Sequence, residues 1–208
     1  MTLIKTKSKG GRPRQSEAGE VERRLLDAAL QRFLANGVEG ASYEDIARTA
    51  GASKATLYAR YANKEALFEA VVRRHVATLL VPAETIPTLP LAGRLRHVGQ
   101  GILEHALQPE TLAMMRLVIA TSSRTPLLAA EVNRIGWEGG FTRVRSAILA
   151  GPDQPTDPDA LAVQFIDLVF APHQLRALLG GDREQLVQTI PERVEWGLKL
   201  VRAAGLLQ

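Results

Sequence analysis

Apolar residues recur along this chain at spacings of three and four, and no stretch alternates apolar and polar residues in the manner of a half-buried strand. Val21, Leu25, Ala28, Ala29, Leu30 and Phe33 form one such stripe and predict a helix over about 20–35, ended by Asn36 and Gly37. The stretch 42–64 predicts two short helices joined by a tight turn, with a third helix starting at once. Ser42 caps the first, and Asp45 three residues on makes a capping-box-like pair. Ile46 and Ala47 face inward, and Gly51 stands where the first helix must stop in a left-handed conformation. Ser53 caps a second helix over 54–61, whose Leu57 and Tyr61 point to the core. Asn63 caps the next, over about 64–80, with Leu67, Phe68, Val71, Val72 and Leu79 apolar.

Pro82, Pro87 and Pro90 then interrupt helical continuity, which predicts a linker over 81–90. Helical patterns return over about 91–107, 110–122 and 126–149, the last opened by Thr125 as a cap and Pro126 at its first position. After a loop over 151–157, Pro158 begins a helix to about 179 in which Pro172 predicts a kink. Gly180 and Gly181 stop it. Asp182 caps a last helix that Pro191 bends before its end near 204. The expected fold is all-α: a three-helix helix-turn-helix head and a C-terminal helical bundle, about nine helices in all. The expected segments are an arm (1–19), a head (20–80, motif about 43–62), the linker (81–90) and a C-terminal domain (91–208).

Charge sharpens this picture. Residues 1–80 hold 14 Lys or Arg against 9 Asp or Glu, whereas the remainder holds 12 against 13. The positive excess therefore sits with the helix-turn-helix, as a polyanionic partner requires. The outward side of the 54–61 helix offers Lys54, Ala55, Thr56, Tyr58, Ala59 and Arg60, followed by Lys64. Small side chains let a helix approach base edges, and basic residues at a helix start suit phosphates better than they suit the macrodipole. Before Glu17, Lys5, Lys7, Lys9, Arg12 and Arg14 carry no compensating acid. Two readings of this arm stand: a solubilising tail, or a hook whose Arg12 and Arg14 enter a narrow minor groove.

These residues carry a specific resemblance. Arg23, Leu26, Phe33, Asn36, Gly37, Tyr43, Glu44, Ile46, Ala47, Gly51, Ser53, Lys54, Thr56, Leu57, Tyr58, Lys64 and Leu67 together resemble the DNA-binding head of TetR-family transcriptional regulators over about 20–80. Arg60 and Tyr61 depart from that pattern, where the family commonly has His or Tyr and then Phe. The resemblance implies an all-helical, homodimeric repressor with a ligand-responsive C-terminal domain, released from a palindromic operator by a small molecule, and the lack of cysteine fits the cytoplasm. Tyr43, Lys54, Ala55, Thr56, Tyr58, Arg60 and Lys64 are the expected DNA contacts, with Tyr58, Lys64 and Thr56 on phosphates.

The C-terminal half offers two further expectations. His105, Met114, Met115, Trp137 and Phe141 either line a ligand cavity or simply fill core. The helices at 158–179 and 182–204 are apolar around most of their circumference. They are either central core helices or the two-fold dimer interface that the resemblance implies, through Phe165, Leu168, Val169, Leu175, Val194, Leu198 and Val201. No cysteine is present, and no phosphate-loop, dinucleotide-binding, zincin or nucleophile-elbow pattern occurs, so no enzyme, metal or cofactor is expected. No segment is apolar over the length that spans a bilayer. The expected partners are a double-stranded DNA operator, a second copy of the chain and a small apolar or amphipathic effector. The competing reading is a constitutive, architectural DNA-binding dimer without a ligand response.

Overall fold

The computed structural model describes residues 15–79 and 86–207, which form ten helices and no strand among the described residues. Residues 1–14, with Arg12 and Arg14, and Pro82 of the linker lie outside them, whereas residues 15–19, expected in the arm, already belong to the first helix. In chain order the helices are α1 Gln15–Gly40, α2 Tyr43–Thr49, α3 Lys54–Arg60, α4 Lys64–Leu79, α5 Leu91–Ala106, α6 Pro109–Thr121, α7 Pro126–Leu149, α8 Pro158–Leu178, α9 Arg183–Gln188 and α10 Ile190–Ala203. The chain divides into two compact units, 1–71 and 72–208, with the division inside α4. No described helix is long and apolar enough to cross a membrane.

In the first unit α1, α2, α3 and the first turns of α4 surround Leu25, Phe33, Ile46, Leu57, Leu67 and Phe68, all fully buried. Phe33 and Phe68 meet edge to face, with ring centroids 5.7 Å apart. Gly37 leaves helical geometry at φ 69°, so α1 breaks there and runs one short turn further than the sequence stripe predicts. Ser42 accepts the Glu44 amide at 3.2 Å and caps α2. Asp45 does not complete the box as predicted: its carboxylate holds Arg48 one turn on. Gly51 turns the chain between α2 and α3 at φ 63°, a conformation that a side chain resists.

The second unit packs α5, α7, α8 and α10 against one another, with α6 laid on α7 and α8. Its core holds Leu95, Leu103, Ile148, Leu161, Phe165, Val169, Val194 and Leu198. Gly197 makes the α8–α10 approach possible, since a β-carbon there would stand 2.4 Å from Val169 Cγ2. Thr125 precedes α7 but does not cap it as predicted; its hydroxyl donates back to the Thr121 carbonyl at 3.1 Å. The predicted last helix is two: it breaks at Thr189, and Pro191 stands in the first turn of α10 rather than at a bend. That break raises the count from about nine to ten.

Five residues predicted for a dimer interface, Phe165, Val169, Val194, Leu198 and Val201, are buried within their own subunit, and Leu168 is half-buried. Helices α8 and α10 converge on α5, so their inward stripes are consumed as core. The large apolar side chains that α8, its C-cap and α10 leave exposed are Leu175, Leu179 and Trp196.

Helix α8 continues through Pro172. A proline has no N–H for the carbonyl four residues back, which here is Leu168. Arg193 of α10 supplies the missing donors, hydrogen-bonding the Leu168 carbonyl and reaching the Val169 carbonyl at 3.4 Å. Its guanidinium also lies over the Trp196 ring, 4.6 Å from the centroid. We expect Arg193→Ala to destabilise the second unit by about 1.5–3 kcal/mol, the range for hydrogen bonds made by a charged group. In a Pro172→Ala background the restored amide takes over Leu168, and the same substitution costs less. Urea unfolding of the four proteins in this double-mutant cycle measures the difference.

Candidate nucleic-acid interface

Helix α3 presents one face to solvent because Leu57 anchors the other. Ser53 fixes its start by accepting the Thr56 amide at 3.0 Å and exchanging a hydroxyl bond with Thr56 at 2.8 Å. Asn63 caps α4 by accepting the Ala66 amide at 2.8 Å. Between these starts lies an open groove of about 540 Å³, lined by Ser42, Tyr43, Glu44, Lys54, Tyr58 and Lys64 among others. It joins two lysines, two phenols and capped helix starts with two glutamates, Glu44 and Glu65, so hydrogen-bond donors and acceptors stand side by side in it.

The sequence-predicted contacts divide into outward and inward groups. Lys54, Ala55, Tyr58 and Arg60 are exposed, and Thr56 and Lys64 are half-buried. Tyr43 is buried beneath Tyr58, their rings 4.9 Å apart, and its hydroxyl donates to the Tyr61 carbonyl at 3.4 Å. Burial, then the neighbouring Tyr58, Glu65 and Tyr61, push the Tyr43 phenol up to about 12, so it keeps its proton to donate. The departure at Tyr61 also has a use: its hydroxyl donates to Glu22 at 3.2 Å.

Each basic side chain of this face meets an internal partner. Lys54 binds the Glu44 carboxylate, Arg60 stands 3.5 Å from Glu22, and Lys64 donates to the Glu39 carbonyl at 2.5 Å. The hydrogen bond from Lys54 holds Glu44 below the usual carboxylate range, and the same bond raises the Lys54 ammonium. In the linear sequence no acid lies between Lys54, Arg60 and Lys64. Glu22 and Glu44 reach them only because α1 and α2 fold alongside, so neighbour counting along the chain misses both.

In the second unit, Met114 is buried, Met115, His105 and Phe141 are half-buried, and Trp137 is 43% exposed. Trp137 and Phe141 stack, with centroids 5.3 Å apart and planes 8° from parallel. A small cavity of about 20 Å³ lies between α5 and α7, lined by Arg94, His97, Val98, Gly101, Arg143 and Ala147 as well as Ile86. None of the five sequence-predicted pocket residues is among them. The space suits about one water molecule.

This architecture has counterparts among known proteins. The family described as "Bacterial regulatory proteins, tetR family" matches residues 25–71, and the "AefR-like transcriptional repressor, C-terminal domain" matches 93–203. The repressor SCO4008 of Streptomyces coelicolor is 30% identical over 169 residues, covering 76% of this chain and 83% of that one. The repressor ComR of Escherichia coli is 43% identical over 51 residues, 24% of each chain, so that match spans about a quarter of the relative's length. The solved structure of the flavonoid-responsive regulator FrrA is 30% identical, covers 89% of this chain and 97% of its own, and superposes with a TM-score of 0.64. The chain belongs to the TetR family of helix-turn-helix, DNA-binding transcriptional regulators.

Burial lowers His75, His105 and His173 below the ordinary imidazole range, with Arg74 adding to it at His75, Arg143 and His75 at His105, and Arg193 and Arg176 at His173. A histidine depressed on folding gives stability that is full above its unfolded value and lost as pH falls below it. The melting temperature of the second unit should therefore drop as pH is lowered from about 6.5 towards 5. His105→Gln should flatten that drop. Calorimetric scans across this window check it, and carboxylate effects fall at lower pH.

Proposed function

We propose that the chain is a dimeric repressor, released from a palindromic operator by a small apolar or amphipathic molecule. It acts in the cytoplasm and carries no catalytic activity of its own. The observation that carries the reading is the exposed face of α3, with Lys54, Tyr58 and Arg60, beside the groove that Lys54, Tyr58 and Lys64 help to line at the start of α4. The positive excess of residues 1–80 supports it. Tyr58, Lys64 and Thr56 take phosphates, Lys54, Ala55 and Arg60 approach base edges, and Arg12 and Arg14 follow the minor groove. For Arg60 and Lys64 the exchange of internal partners for DNA is favourable, because an exposed ion pair contributes little and phosphates offer more charge.

Two heads on one dimer must stand about 34–36 Å apart, or a multiple of that, to enter successive major grooves. The exposed Leu175, Leu179 and Trp196 are the apolar surface we assign to pairing of α8 and α10 between subunits. For the effector, the stacked and accessible Trp137–Phe141 pair is a platform for a planar or apolar molecule. The similar regulator FrrA is flavonoid-responsive, which supports that choice of chemistry.

Sequencing DNA fragments retained by the purified protein, with and without metabolite extract, tests the function directly. Enrichment of one palindromic site that the extract abolishes is the expected result. Sites held equally with and without extract would favour the constitutive alternative. At that operator, Lys64→Ala should weaken binding to every sequence and reduce the salt slope by about one unit. Arg60→Ala should cost about 1–3 kcal/mol and relax preference at one position. Titrations against salt concentration measure both.

A ligand releases DNA only by binding the DNA-free state better, and reciprocity then makes DNA weaken ligand binding by the same factor. The coupling expected is about 1–3 kcal/mol, or about 5- to 150-fold. Trp137→Ala should keep operator binding and lose the ligand response. Calorimetry that finds equal ligand affinity for free and operator-bound dimer would refute the coupling.

A further inference from the structure

An acid on the reading surface of a DNA-binding head calls for a reason. Glu44 stands on α2, is 69% exposed at its side chain, and lines the same groove as Lys54, Tyr58 and Lys64. Its carboxylate is hydrogen-bonded to the Lys54 ammonium, ten residues on and across the turn, with Lys54 itself 50% exposed. Beside a phosphate the carboxylate would only repel. As an acid in the first turn of α2 it also complements the helix dipole, but that role is filled as well by Asp45.

Base edges offer what phosphates do not. In the major groove, guanine presents two acceptors, N7 and O6, and its partner cytosine presents the N4 amino donor. A lysine held beside a glutamate presents the complement: donors for guanine and an acceptor for cytosine. Adenine also carries an amino donor, but it lies between two acceptors, N7 and the thymine O4, so a carboxylate there meets like charge on both sides, whereas cytosine N4 has an acceptor only on the guanine side, where the lysine sits. The ion pair keeps the two groups at neighbouring positions and cancels the lysine's charge, so the pair gains little from the backbone and depends on the edge it meets.

We propose that Glu44 is a specificity-determining residue, which together with Lys54 reads one G·C pair in each half-site by accepting a hydrogen bond from cytosine N4. This rests on the DNA-binding reading above and adds to it a contact from α2, outside the recognition helix.

The test is site selection from randomised duplex DNA with full-length wild type, Glu44→Ala and Glu44→Gln, after melting curves confirm that all three fold alike. Wild type should discriminate for cytosine at one symmetric position by about tenfold or more. Glu44→Ala should lose that preference while leaving the other positions intact. Glu44→Gln should move it towards adenine, whose N6 and N7 an amide can bind together. Base profiles that are unchanged in both variants, with affinity equal or uniformly raised, would overturn the proposal, because Glu44 would then only repel DNA. A wild-type preference for adenine at the affected position would overturn it too. Failure of wild type to enrich any site would sink the DNA-binding reading along with it, whereas the first two results leave that reading standing.

Discussion

Phe165 lies against Gly99 and Val169 lies against Gly197, and at these points α5, α8 and α10 come together without room for a β-carbon. An alanine methyl at Gly99 would stand 3.0 Å from the Phe165 ring, and one at Gly197 would stand 2.4 Å from Val169. Interior packing transmits such limits, because side chains already sit at crystal-like density. The close approach brings Val194, Leu198 and Val201 into the same core as Leu95, Leu103 and Leu161. It places in the interior residues that the sequence left open between core and dimer seam.

Bringing helices this close leaves backbone carbonyls that need donors, and arginines supply them. Arg94 is 2% exposed, donates to the Ala147, Ile148 and Leu89 carbonyls, and meets Asp153, which in turn accepts the Leu91 amide. It ties the end of α7 to the start of α5. Arg116 reaches the Ala177 and Leu178 carbonyls at the end of α8, and Arg193 serves the position freed by Pro172. A buried carbonyl without a partner costs about 1–3 kcal/mol, so a planar group with several donors is worth burying at a helix end. These arginines hold the second unit together and are unavailable for a polyanion, which sharpens the charge contrast between the two units.

The head uses its charges differently. Lys54, Arg60 and Lys64 sit at the surface with partners that are exposed or are backbone carbonyls. Such partners keep the cations positioned near the groove, and the solvent screening that makes exposed ion pairs weak also makes them exchangeable. Tyr43 contributes from below, as the buried ring that supports the exposed Tyr58.

The sequence by itself determined most of the helices, their caps at Ser42, Ser53, Asn63 and Asp182, and the turn at Gly51, because these depend on neighbours within a few residues. Helical period and capping chemistry are local, and the outward face of α3 follows from Leu57 and Tyr61 pointing inward. Tertiary structure decided what no local pattern encodes. It decided that the inward apolar residues of α8 and α10 are consumed within one subunit. It also decided that the last helix divides at Thr189, where the Thr189 hydroxyl bonds the Gln185 and Leu186 carbonyls and meets the His173 ring. Above all it brought Glu44 and Glu22 to the cations of the reading face across 10 and 38 residues of chain. Charge pairing over that separation is set by how helices cross, and the crossing is fixed by the packing of side chains far apart in the sequence.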